Sequence, residues 1–150
     1  MMRAALFAIA ALVLAAPAHA ASADSGKATL TCLDSADSNG TDPGRCVGTI
    51  SAACMHGGPD PSESACAARE LAFWQGQLDK AWKEAKPLLA TYPEQVEAQA
   101  LWLKYRDKSC AMADKVDPGT MPGGSASCRM RETAARAIAV RTIAYSLSEH

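Results

Sequence analysis

The six cysteines are the residues of this 150-residue chain that could carry the widest range of chemistry. A cysteine can bind a metal, act as a nucleophile or form a disulfide. Their spacings contain no Cys-x-x-Cys pair and match none of the usual zinc patterns. His56 is the only histidine between His19 and the terminal His150. We therefore expect three disulfides, with no metal site, no cofactor and no thiol catalysis.

The other side chains that could act in catalysis form no recognisable pattern. A hydrolase triad needs a base such as histidine, but His56 lies in the turn sequence Met55-His56-Gly57-Gly58. The carboxylates of Asp107, Asp114 and Asp117 have no spacing that marks an acid and base pair. The glycine pairs lack the lysine of a phosphate-binding loop. We predict that the chain is not an enzyme.

One stretch, residues 99–110, would place an aromatic ring, a guanidinium and a cysteine on one helix face. The face is formed by Gln99, Trp102, Arg106 and Cys110. We expect Trp102 to fill the core, and Arg106 to cap helix carbonyls or to pair with Glu70 or Asp79. The alternative is that Trp102 and Arg106 are exposed anchors for a partner.

The same stretch carries a family resemblance. The pattern Gln99-x-x-Trp102-x-x-Tyr105-Arg106-Asp107-x-x-Cys110, followed by a glycine-rich loop, Cys128 and a basic, alanine-rich helix, resembles the LprI-type lysozyme-inhibitor domain. Upstream, Cys66-x-x-x-Glu70 with Trp74 and Leu78-Asp79 is similar to the first helix of that domain, with Asp79 in place of the usual asparagine. The resemblance covers about residues 46–147. It implies an exported bacterial helical protein whose shared residues are first of all a scaffold.

Five helical segments are predicted to position these residues. The clearest is the third, in which Leu71, Trp74, Leu78 and Trp82 recur at spacings of three and four. Proline and cap signals set the approximate ranges 26–35, 43–55, 60–87, 93–115 and 125–147. Abundant alanine and few β-branched residues favour helix over sheet. We predict an all-α fold, a small disulfide-stapled bundle of helical hairpins.

Neighbouring cysteines lie on either side of predicted inter-helix turns. Antiparallel helices joined by a turn bring their ends within the Cα separation that a disulfide requires, roughly 4.4–6.8 Å. We therefore expect the pairs Cys32–Cys46, Cys54–Cys66 and Cys110–Cys128.

The amino terminus has the pattern of a cleavable export signal. Arg3 precedes an apolar run over residues 4–16, and Ala18-His19-Ala20 fits a cleavage site. We expect residues 1–20 to be removed and residues 21–150 to form a single domain, periplasmic or secreted. The mature chain is not expected to contain a membrane span.

Charge is unevenly distributed along the chain. Residues 21–66 contain six acids and two bases, whereas residues 67–150 contain ten acids and twelve bases. The net charge of −1 gives no reason to expect nucleic-acid binding. From the family resemblance, the leading hypothesis is an inhibitor of lysozyme or another basic cell-wall hydrolase, and the alternative is a periplasmic structural or stress-related module. The candidate contact surface for a basic partner is Asp34, Asp37, Asp42, Asp60 and Glu63.

Overall fold

The computed structural model describes residues 18–57, 61–116 and 122–149, and these contain helices and turns but no strand. Five helices have nine residues or more. They are α1 (Ala18–Asn39), α2 (Thr49–Gly57), α3 (Glu63–Leu88), α4 (Pro93–Cys110) and α6 (Gly124–Ser148), joined by a 3-10 helix (Pro43–Cys46) and by the one-turn α5 (Ala113–Val116). The predicted all-α, disulfide-stapled fold is confirmed.

Helix boundaries differ from the predicted ones at three places. The second segment is two helices, because Gly48 has a positive φ of 97° that interrupts the helical path between Cys46 and Thr49. The fourth ends at Cys110, and α5 follows separately. The first is longer than expected and spans the predicted cleavage site after Ala20. Residues 1–17 of the predicted export signal, and Asp60 and Asp117, lie outside the described residues.

Successive long helices run in opposite directions. Asp37 near the end of α1 contacts Arg141 in the second half of α6, and Gln99 and Cys110 of α4 contact Arg136 and Cys128 in reverse order along α6. The helices α3 and α6 therefore lie parallel to each other, each antiparallel to α4. This up-and-down arrangement is that of helical hairpins joined in series.

The core lies mainly between α3 and α6. Trp74, Leu78, Ala81 and Ala85 of α3 are buried at the spacings that the sequence pattern predicts. Small side chains also dominate the buried face of α6, which lets the two backbones approach closely: Met130, Ala134, Ala137, Val140 and Ala144. Leu33 and Ala36 of α1 are also buried, and their apolar contacts hold this helix against the bundle.

The three disulfides each join two elements that follow one another in the bundle or lie side by side in it. The bonds are Cys32–Cys46, Cys54–Cys66 and Cys110–Cys128, with Cα separations of 5.8, 5.5 and 5.4 Å. These are the pairs expected from the sequence. They tie α1 to the 3-10 helix, α2 to α3, and α4 to α6. Within the described residues, no helix combines the length and the apolar character that crossing a membrane would take.

Candidate functional site

The predicted face of α4 points into the bundle and forms a polar network there. Arg106 donates through Nη1 to Gln75 Oε1 (3.2 Å) and to Thr133 Oγ1 (3.1 Å). Its side chain is 12% exposed, so it is held inside the bundle and is not a free anchor. The carboxylate beside it belongs to Asp107, at 2.9 Å. The predicted pairing with Glu70 or Asp79 is wrong: Glu70 is used elsewhere, and Asp79 accepts from Gln75 instead.

Two guanidinium groups lie close to the Trp102 ring. The Cζ atoms of Arg106 and Arg136 lie 5.2 and 5.8 Å from its ring centroid, within the range of cation–π attraction. Arg136 also donates to Gln99 Oε1 at 2.7 Å, and burial lowers its pKa below the usual value. Trp102 is half-buried against the core. These contacts give Gln99, Trp102 and Arg106 a structural role that joins α3, α4 and α6.

Tyr105, unlike Trp102 and Arg106 of the same motif, is mostly exposed to solvent. It is 61% exposed, and it lies about 100° around α4 from the neighbouring Arg106. It therefore takes no part in the network between the helices.

A buried carboxylate organises the junction of α2 and α3. Glu70 is fully buried. Its oxygens accept from Gly48 N (2.6 Å), Ser51 N (2.8 Å) and Trp74 Nε1 (2.9 Å). The two backbone donors are among those left unpaired at the start of α2, so Glu70 caps that helix from a distant point in the chain.

Four of the five acidic residues predicted as a partner surface lie within the described residues, and these four do not form one surface. Glu63 lies at the start of α3 beside Asp114, whereas Asp37 lies near Glu84 at the other end of the same helix. With a rise of 1.5 Å per residue, the two ends are about 30 Å apart. Asp42 caps the 3-10 helix by accepting from Gly44 N at 2.8 Å.

Asp34 and Asp37 do lie together. Both face Arg141 of α6, which contacts Asp37 Oδ2 and lies 3.6 Å from Asp34 Oδ1. Beside them is a groove of about 790 Å³, formed where α1, α3 and α6 end. Glu84, Leu88, Ile138 and Tyr145 line it with Asp37. Two of the five predicted acids thus lie at the edge of a concave surface.

A family model described as lysozyme inhibitor LprI matches residues 51–139, more than half of the chain. This chain belongs to the LprI family. The match includes Glu70 itself, the Arg106 network and two of the three disulfides, and it begins after α1 and Asp42. Comparisons with curated proteins and with solved structures gave no match.

The side chains that the sequence offers for catalysis or metal binding lie apart from one another in the described part of this LprI-family chain. No group of three or more metal-ligating side chains is found there. His56 is exposed at the end of α2. Asp107 contacts Arg106, and Asp114 accepts from the backbone N–H of Ser125. These carboxylates therefore have structural partners.

The sequence does not predict the roles of several residues of the LprI scaffold. Glu70 belongs to the family motif, but the motif does not indicate that it caps α2. The signal was its place four residues before Trp74 and eight before Leu78, on the stripe that is buried. Gln75, Thr133 and Arg136 carried no comparable signal, because their roles depend on which helices become neighbours.

Proposed function

We propose that this chain is an exported, non-enzymatic binding protein that inhibits a lysozyme or a related cell-wall hydrolase. The observation that carries the proposal is the match of the LprI lysozyme-inhibitor model to residues 51–139. Glu70, Arg106 and Arg136 of that segment hold neighbouring helices together, which supports a rigid binding scaffold. A rigid scaffold supports inhibition because less conformational entropy is lost on binding.

Export is part of the same proposal. Residues 1–20 have the composition of a cleavable signal, and residues 21–150 would form the exported domain. Three disulfides support it, since such bonds persist mainly in oxidising compartments outside the cytoplasm. A periplasmic or secreted location would also bring the protein to cell-wall hydrolases.

The direct test is a lysozyme activity assay with the purified, oxidised chain of residues 21–150. Chicken-type and goose-type lysozymes are titrated, and a reduced and alkylated sample is the matched control. We expect dose-dependent inhibition of at least one enzyme, with the inhibition lost on reduction because the staples hold the binding surface together. An oxidised, folded sample that leaves both enzymes fully active at large molar excess would contradict the proposal and favour the structural or stress-related module.

A further inference from the structure

The groove at the ends of α1, α3 and α6 combines an apolar floor with a polar rim. Ile138 is half-buried within it, while Leu88 and Tyr145 have 39% and 65% of their surfaces exposed. Pro43 closes the side next to the 3-10 helix. Exposed apolar and aromatic groups inside a concave surface are typical of protein-binding sites, where aromatic residues contribute much of the affinity.

The hydroxyl groups of the rim have their hydrogens directed to their own helices. Ser38 Oγ donates to Asp34 O (2.8 Å), Thr142 Oγ1 to Ile138 O (3.1 Å) and Ser148 Oγ to Tyr145 O (2.8 Å). A hydroxyl whose hydrogen is used in this way still has lone pairs to offer. These three groups therefore face the groove as acceptors.

The remaining polar groups of the rim have the same character. The carboxylates of Asp37 and Glu84 only accept when ionised. A hydrogen bond to Glu149, together with its negative charge, raises the pKa of Tyr145, so this phenol hydrogen is also engaged. Arg141 is the cation of the lining, and it is bound to Asp37 and near Asp34. The groove thus offers many acceptors and one donor group that already has partners.

We infer that this groove binds an arginine- or lysine-bearing surface segment of a basic protein partner. The inference rests on the proposed function, and it identifies the contact surface as the groove with Asp37, Glu84 and Tyr145. Arginine and lysine side chains supply only donors, so they complement an acceptor-rich rim. Their aliphatic stems suit the floor at Leu88 and Ile138, and Tyr145 can stack on a guanidinium.

The inference replaces the broader acidic surface that the sequence suggested. Asp34 and Asp37 stay in it, positioned by Arg141, whereas Glu63 is about 30 Å away along α3. Glu84 and Tyr145 are new, because they join the acidic residues of α1 only after α3 and α6 have packed.

The test compares two charge reversals of equal size at exposed glutamates. Glu84→Lys places a cation in the groove, and Glu97→Lys makes the same change on α4, which contributes no residue to the groove lining. Binding of chicken-type lysozyme is measured by titration calorimetry, and melting curves check that each variant folds. We expect Glu84→Lys to weaken binding by roughly tenfold or more, and Glu97→Lys to change it by less than about twofold. Tyr145→Ala should weaken binding without any change of charge.

The outcomes separate the groove from the function. If the wild-type chain inhibits lysozyme and both the Glu84→Lys and the Tyr145→Ala variant inhibit it equally well, the groove is not the contact surface. The proposed function would then still stand. As a second arm, the ¹⁵N-labelled chain is titrated with an oligoarginine peptide. Amide shifts centred on Ser38, Thr142 and Ser148, and reduced in Glu84→Lys, are expected whether or not lysozyme is inhibited. Shifts that centre elsewhere, or no shifts at all, would refute the inference.

Discussion

At the scale of single residues, the junction of α2 and α3 depends on the side chain of Glu70. A fully buried carboxylate is costly unless hydrogen bonds replace its lost hydration. Here three donors do so, and two of them belong to the positive end of α2. Although a carboxylate is unfavourable in an apolar core, Glu70 thus fixes α2 against α3.

Replacement of Glu70 tests this role. Glu70→Ala leaves two backbone N–H groups and the Trp74 indole N–H without their acceptor, so we expect the free energy of unfolding to fall by about 3 kcal/mol or more. Glu70→Gln should lose less, because one carbonyl oxygen remains. Urea denaturation provides the measurement. Glu97→Gln, at an exposed site on α4, is the control and should stay within about 0.5 kcal/mol of the wild type. A loss of similar size in the control would argue against a special role for Glu70.

At the scale of helices, the start of α6 depends on a neighbouring element. Gly123 and Gly124 both have positive φ, and no side chain at the start of the helix caps it. Instead, Asp114 of α5 accepts from Ser125 N at 2.8 Å. The short α5 therefore supplies the cap that α6 lacks.

This cap should be sensitive to acid. Hydrogen bonds from Ser125, aided by the charge of Arg129, lower the pKa of Asp114 below its usual value of 3.8. A folded-state pKa that is lowered contributes stability above the unfolded-state pKa, and this contribution is lost as pH falls through the folded-state pKa. We expect Asp114→Asn to be less stable than the wild type near neutral pH, and the difference to shrink below about pH 4. Thermal melts from pH 2 to 7 measure it. A difference that is constant over the whole range would count against the charged cap.

How far the sequence predicts these elements depends on how local the cause is. The helix α3 was predicted well because its apolar stripe and its start signals lie within one segment. The break at Gly48 was missed because a glycine inside a helical pattern is often tolerated. The groove could not be predicted, since its lining comes from helices separated by up to about a hundred residues, and their packing decides which acids meet.

At the scale of the whole molecule, the bundle consists of helical hairpins in series, tied by three disulfides. The segment that matches the LprI model begins at residue 51, so α1 and the Cys32–Cys46 bond precede it. Yet α1 brings Asp34 and Asp37 to the groove and buries Leu33 and Ala36. Helix α1 therefore completes the surface that we propose for binding.

Removal of the first staple tests that dependence. A Cys32→Ala/Cys46→Ala double variant should unfold more easily by about 3 kcal/mol, the usual contribution of a loop of this length. Hydrogen exchange should speed up first in α1, since the other two bonds still tie α2 to α3 and α4 to α6. The matched Cys110→Ala/Cys128→Ala variant should lose similar stability but loosen α4 against α6. Equal exchange rates in α1 of the two variants would show that the first bond does not hold this helix.

The order of the disulfides along the chain also bears on how the protein is made. Each bond joins a cysteine to the next one in the sequence, with separations of 14, 12 and 18 residues, so no closed loop contains a cysteine of another pair. A polypeptide that emerges amino terminus first can complete each bond before the following pair appears. Oxidation in order of emergence therefore yields the native pairing directly, and maturation should need an oxidant but no isomerase to reshuffle wrong bonds.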